Sequence, residues 1–153
     1  MTTRASTSIR EATLADVPAI VAMGCRFLRT TAFGTHVKEN PEQMAALAAQ
    51  LIEGDGGAVF VADMDGGVVG MIGLLRFLHP MSGEPFVSEL FWWVNPDARG
   101  SSAALRLLRQ GEQWTRDVGA VVLQMIAPTP EVERLYHARG FDRVETAYQK
   151  RLT

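Results

Sequence analysis

The 153-residue chain has one cysteine, Cys25, so no intramolecular disulfide can form and a reducing compartment is expected. It has no apolar run near the roughly 20 residues that a membrane-spanning helix requires. The polar opening MTTRASTS leads into no apolar stretch, so no secretory signal is expected and the reading is cytoplasmic. Charge of one sign is also missing. Fifteen Lys and Arg face 17 Asp and Glu, a net charge of −2, which leaves no basic field to recruit nucleic acid or an anionic membrane. The three histidines, His36, His79 and His137, show no metal-ligand spacing, so no metal is expected. No Cys/His or Ser/His pairing suggests a covalent nucleophile, and Cys25 reads as a small buried hydrophobe. There are no repeats, low-complexity tracts or linkers. A hydrophobic share of 47% with 21% charged residues therefore predicts one folded domain over 1–153, with 1–8 flexible.

What is present is a regular succession of patterns. A short strand over Ile9–Thr13 is followed by a helix capped by Thr13 or Asp16, with Pro18 in its first turn. Ile20, Met23 and Phe27 give that helix a core face. After the loop Thr30–Glu39, Asn40-Pro41 caps a second helix, and Gly54 stops it. Strands over Ala58–Asp63 and Val68–Phe77, joined by the turn MDGG, are apolar on both faces and predict a sheet covered on both sides. Another strand, Phe86–Val94, feeds a long helix through the turn holding Arg99 and Gly100. An apolar strand over Ala120–Ile126, a short helix Glu131–Arg139 and an alternating edge strand Arg143–Leu152 complete the order β-α-α-β-β-β-α-β-α-β. The fold class expected is α/β (α+β): a mixed, mostly antiparallel sheet with helices on both faces.

The turn before the long helix carries the chemistry. A strand entering a helix through Arg99-Gly-Ser-Ser-Ala-Ala104 aims unpaired backbone N–H groups and the positive end of the helix dipole at one spot, which suits a phosphate. The stretch from Val94 to Ala104, V-N-P-D-A-R-G-S-S-A-A, resembles the acetyl-CoA signature of the GNAT superfamily of N-acetyltransferases, Arg/Gln-x-x-Gly-x-Gly/Ala. Arg99 takes the first position, Ser102 stands where the family usually has glycine, and Ala104 is the last small residue. The opening Ile9-Arg-Glu-Ala-Thr-Leu-Ala-Asp16 and the closing Tyr136-His-Ala-Arg-Gly-Phe141 resemble family elements too, so the likeness runs from Ile9 to Leu152.

The resemblance implies acetyl-CoA as co-substrate and direct transfer of acetyl to a primary amine of a small molecule or peptide. It implies a pyrophosphate held by the N–H groups of Ser101, Ser102, Ala103 and Ala104, with Arg99 and the serine hydroxyls as further donors beside Gly100. It also implies a kinked strand splayed from the next one, Val94 contacting the pantetheine and the Trp92 backbone lying near the thioester. A tyrosine near the CoA sulfur is frequent in the family as general acid, and Tyr136 holds that place; the competing reading is a tyrosine that packs helix on sheet.

Glu89 is the candidate base, because an otherwise apolar strand would raise its pKa by desolvation. By strict alternation it faces away from Trp92 and Val94 unless a bulge intervenes. A structural glutamate and a base acting through water remain alternatives. Trp92 and Trp93 must point to opposite faces. Arg134 and Arg139 read as surface arginines or contacts to the CoA 3′-phosphate. A homodimer through an edge strand or the aromatic pair is a further expectation. The competing function is a non-catalytic GNAT-like module that binds CoA or serves structurally.

Overall fold

The apolar segments become a five-stranded sheet in the computed structural model, which describes residues 6–153. In chain order the elements are β1 (Thr7–Glu11), α1 (Val17–Thr30), α2 (Pro41–Glu53), β2 (Gly57–Met64), β3 (Gly67–Leu78), β4 (Pro85–Val94), α3 (Ala103–Asp117), β5 (Val122–Gln124) and α4 (Pro130–Ala138). The strands lie in sequence order. The first four pair antiparallel and β5 joins β4 in parallel, so the sheet is mixed and mostly antiparallel, as expected. The β2–β3 hairpin turns on Asp65 and Gly66, both at positive φ (53° and 84°), the backbone that lets a two-residue turn follow the strand twist.

Each face of the sheet has its own core. Val59, Val61, Met71 and Trp93 pack with Ile20, Met23, Ala48 and Leu51 beneath α1 and α2. Phe60, Ala62, Ile72, Leu74, Val87 and Val94 pack with Ala103 and Leu107 of α3 on the other. This two-sided burial is why the strands are apolar throughout. Trp92 belongs to the α3 side and Trp93 to the α1–α2 side, the opposed orientation that adjacent strand residues require. Cys25 is buried, with its thiol 3.8 Å from the Met44 sulfur.

Local caps follow the sequence. Asn40 Oδ1 accepts from the Gln43 N–H at 3.0 Å at the start of α2. Before α1 the cap is doubled: a 3-10 turn, Leu14–Asp16, carries a capping box between Thr13 and Asp16. The buried Asp16 carboxylate also takes a two-pronged contact from Arg10, at 2.8 and 2.9 Å, which ties β1 to the helix. The Arg10 guanidinium, opposed in part by burial, holds the Asp16 carboxyl below its ordinary range. Its stabilisation is therefore present at neutral pH and lost as acid protonates it. Asp16→Ala is expected to destabilise the fold by about 1–3 kcal/mol at pH 7, read by urea unfolding, with the difference shrinking towards pH 3.

Three expectations need correction. The strand at the N-terminus begins at Thr7, so Thr7 and Ser8 of the segment expected to be flexible over 1–8 are in the sheet, and 1–5 lie outside the described residues. β5 spans three residues where Ala120–Ile126 was expected, because its ladder to β4 stops at Ser88 and Gln124. The segment Arg143–Leu152 forms no strand: alternation makes it competent to pair, but among the described residues no strand pairs with it.

Candidate active site

A β-bulge decides the geometry of β4. Leu74 pairs with Glu89 while the preceding Gly73 pairs with Phe91, so Leu90 is an extra residue with no partner. The extra residue reverses the alternation. Before it Val87 and Glu89 face α3, and after it Trp92 and Val94 do, since Glu89 lies opposite Leu74 and Trp92 opposite Ile72. The condition under which Glu89 would share a face with Trp92 is met. Gly73 makes room for it: a Cβ there would lie 2.3 Å from the ring of Phe91, which covers the bulge on the other face.

Below the bulge, β4 and β5 are paired from Phe86–Val122 to Ser88–Gln124; above it the ladder ends and the strands separate. The Glu89 carboxylate enters the gap. Its Oε2 accepts from the Ile126 N–H at 3.0 Å, and the Ile126 carbonyl accepts from the Tyr136 hydroxyl at 2.9 Å. One residue thus brings together the two side chains singled out as candidate base and acid. Tyr136 stacks on Trp92, with centroids 5.9 Å apart and planes 26° apart, and packs against Phe141. The indole N–H of Trp92 is buried without a partner among the described residues.

Burial sets the protonation of the pair. Glu89 is 8% exposed, and desolvation, only partly offset by the Ile126 N–H, raises its pKa to about 7. Desolvation, with the Glu89 charge in second place, pushes the Tyr136 hydroxyl well above its ordinary value. At neutral pH the site therefore holds a carboxylate close to half-ionised beside a phenol that keeps its proton.

The turn into α3 is built on Gly100, whose φ of 92° is costly for a residue with a Cβ. The Ser101 N–H donates to the Ala98 carbonyl, and the Ala103 N–H to Ser101 Oγ at 3.2 Å. These two of the four expected phosphate donors are already engaged. The N–H groups of Ser102 and Ala104 have no partner among the described residues, and Ser102 makes no side-chain cap. A cavity of about 410 Å³ opens beside this turn, lined by Thr7, Met64 and Asp97 to Ser102.

Arg99 is engaged within its own strand–turn unit. It turns back, donating from Nε to the Val94 carbonyl at 2.9 Å with its guanidinium 4.5 Å above the Trp93 ring. It thereby braces the end of β4, since a strand carbonyl without a ladder partner attracts the nearest cation. Arg139 pairs with Glu112 at 2.6 Å, so it ties α4 to α3, and Arg134 is exposed beside Glu131. Sequence reading missed Ile126, whose backbone role no side-chain pattern reveals. It also missed Asn95, whose Oδ1 accepts from both Trp93 Nε1 (3.0 Å) and Arg26 (3.1 Å) and joins the end of β4 to α1.

The fold agrees with that of known proteins. Residues 25–141 match the model of the acetyltransferase (GNAT) family, and the chain belongs to that family. It is thus an acetyltransferase by class, and the family's acetyl donor is acetyl-CoA. No curated protein matches it at a significant level.

Among solved structures, a transcriptional regulator from Bacillus halodurans C-125 superposes with a TM-score of 0.79 at 18% identity, over 96% of this chain and 100% of that one. The aminoglycoside N-acetyltransferase AAC(6')-Iy in complex with CoA gives 0.78 at 18% identity, over 99% of both chains. A ribosomal-protein-alanine N-acetyltransferase from Brucella melitensis biovar Abortus 2308 gives 0.71 at 18% identity, over 96% and 99%. At such identities the likeness is one of fold. No group of His, Cys, Asp and Glu among the described residues could hold a metal ion, and no helix there is long and apolar enough to cross a membrane.

Proposed function

We propose that the chain is an acetyl-CoA-dependent N-acetyltransferase that passes the acetyl group directly to a primary amine, with Glu89 as base and Tyr136 as acid. The observation that carries this reading is the meeting of both side chains on Ile126, at the place where β4 and β5 part.

The residues fit the cofactor. The free N–H groups of Ser102 and Ala104 at the start of α3, with the Ser102 hydroxyl, suit the pyrophosphate, and Gly100 keeps the approach open. The gap between the strands leaves backbone of Trp92, and of Val94 apart from the carbonyl that Arg99 holds, to meet the pantetheine as a neighbouring strand would. Ser101 and Ala103 shape the turn, and Arg99 holds the strand end.

Bound acetyl-CoA supplies an activated acetyl thioester. The protein must take a proton from an amine whose unperturbed pKa is about 10.4 and return one to the departing thiolate. A carboxylate raised to about 7 is suited to the first task. A phenol whose ionisation burial disfavours is suited to the second. Two of the structural neighbours are named for amine acceptors, an aminoglycoside and the alanine of a ribosomal protein, which supports a small-molecule or peptide acceptor as a class.

Release of free CoA, measured over a panel of aminoglycosides, polyamines, amino acids and peptides, tests the reading. Turnover with at least one amine is expected. CoA at about 100 times its dissociation constant is expected to raise the unfolding free energy by about 2.7 kcal/mol. Absence of any shift with millimolar acetyl-CoA would refute cofactor binding. Binding without turnover across the panel would favour the non-catalytic module.

A further inference from the structure

Helices cover only part of one face of the sheet. On the α1–α2 side the packed strand residues are Val59, Val61, Met71 and Trp93, which lie in β2, the first half of β3 and the end of β4. Beyond them this face is bare. Leu74, Val87, Leu123 and Met125 belong to the α3 side, so alternation turns Leu75, Phe86, Val122 and Ile126 to the α1–α2 side. Leu90, one residue on from the α3-facing Glu89, alternates to it as well. Leu75, Leu90, Val122 and Ile126 are 37%, 41%, 37% and 47% exposed. The polar side chains among them, on Ser88 and Gln124, are neutral and stand opposite each other in the β4–β5 ladder. The result is an apolar, uncharged floor that ends at the gap between β4 and β5, where Ile126 meets both Glu89 and Tyr136. Apolar sheet faces are ordinarily covered, and a bare one beside a gap lined by titratable groups marks a ligand surface.

We propose that this floor seats the body of the acetyl acceptor, and that the acceptor is a monoamine with an apolar or aromatic body, of the arylalkylamine or alkylamine class. The inference rests on the acetyl-transfer reading above and names the substrate class of that same site. Trp92, Tyr136 and Phe141 stack on the α3 side of the gap, and the turn suited to the pyrophosphate leads into α3. The acceptor therefore meets the acetyl carbon from the opposite face, where the floor lies. Ser88 and Leu90 of the floor flank Glu89 in sequence, so an amine at its edge has that carboxylate as a near neighbour.

Charge decides the class. A polyamine or an aminoglycoside brings further ammonium groups, and each would lose hydration against neutral side chains with no carboxylate to replace it. A monoamine sets its one nitrogen at Glu89 and lays its carbon skeleton on the floor. Apolar surroundings also disfavour the ammonium form, which lowers the amine's pKa and eases loss of its proton. In the step, the nitrogen lone pair forms the N–C bond and the C–S bond breaks with its electron pair on sulfur. Glu89 takes the nitrogen's proton and Tyr136 gives one to sulfur; a proton returned from Glu89 to Tyr136 restores both and leaves amide and thiol.

Release of CoA at saturating acetyl-CoA tests it with 2-phenylethylamine, n-butylamine, n-hexylamine, spermidine and kanamycin. From n-butylamine to n-hexylamine kcat/KM is expected to rise about fourfold for each methylene, the gain from one buried CH₂. For 2-phenylethylamine it should exceed that for spermidine or kanamycin by about 100-fold or more. Val122→Thr, close in shape and outside the proposed acid–base pair, should raise KM for n-hexylamine and leave the acetyl-CoA dissociation constant unchanged. Leu75→Asp places a carboxylate on the floor and should shift preference towards spermidine by about tenfold or more. Acetyl-CoA binding by both variants checks that they fold. A wild type that prefers spermidine or kanamycin, a flat alkylamine series, or preferences that neither variant moves would overturn the inference and leave acetyl transfer standing. Unmoved preferences together with self-association that Leu75→Asp weakens in sedimentation are the result expected if a second copy covers the floor. No turnover of any amine by a chain that binds acetyl-CoA would overturn the acetyl-transfer reading, and this inference with it.

Discussion

Glu89→Gln is expected to make the protein more stable and far less active at the same time. The carboxyl is buried and its pKa raised from 4.5 to about 7, so between those values the folded chain binds a proton that the unfolded chain has released. Stability therefore falls as pH rises through this window and levels off above it. The full difference is on the order of 3 kcal/mol. Glutamine keeps an oxygen for the Ile126 N–H and carries no charge, so the variant should exceed wild type by about 1–3 kcal/mol at pH 8 and differ little at pH 5.

Kinetics should move the other way. If Glu89 is the base, wild-type kcat/KM rises with pH through an apparent pKa near 7, and Glu89→Gln loses that limb together with about 10²–10⁴-fold in rate. Urea unfolding at two pH values and a pH–rate profile check both halves. A variant as active as wild type with the limb intact would remove Glu89 from the reaction. A stability difference independent of pH would show that the burial argument is wrong.

Tyr136→Phe is expected to fold and to lose about 10²-fold in kcat. The ring, its stack on Trp92 and its contact with Phe141 are retained. The loss to stability is that of one donor to the Ile126 carbonyl, about 1 kcal/mol. Because burial and then the Glu89 charge raise the phenol's pKa, wild type should show no loss of rate from its ionisation up to about pH 10. The split between kcat and acetyl-CoA affinity separates the two readings of this residue. A packing tyrosine, whose ring phenylalanine replaces, would leave kcat unchanged, while a proton donor leaves binding unchanged and lowers kcat.

Most elements were legible along the chain because their causes are local. Asn40-Pro41 caps a helix through its own Gln43, and Asp65-Gly66 turns a hairpin through its own dihedral angles. The turn at Gly100 was legible for the same reason, as was the opposition of Trp92 and Trp93. Arg99 was read as a phosphate donor from its place in a motif; its contact with the carbonyl at the end of its own strand was not legible, because it depends on where the ladder stops. The tail was read as a strand from alternation, which records a capacity to pair and does not supply the neighbour.

By itself, then, the sequence determined the element order as far as α4, the two-sided sheet, the α3 turn and the membership of Glu89 and Tyr136 in a short list of chemical groups. Tertiary structure decided what those groups face. A bulge arises when two strands are paired out of step, so the extra residue at Leu90 belongs to β3 and β4 together and has no signature in β4 alone. That one residue turns Glu89 towards Ile126 and Tyr136, and burial there, a property of the packed molecule, carries its pKa to about 7.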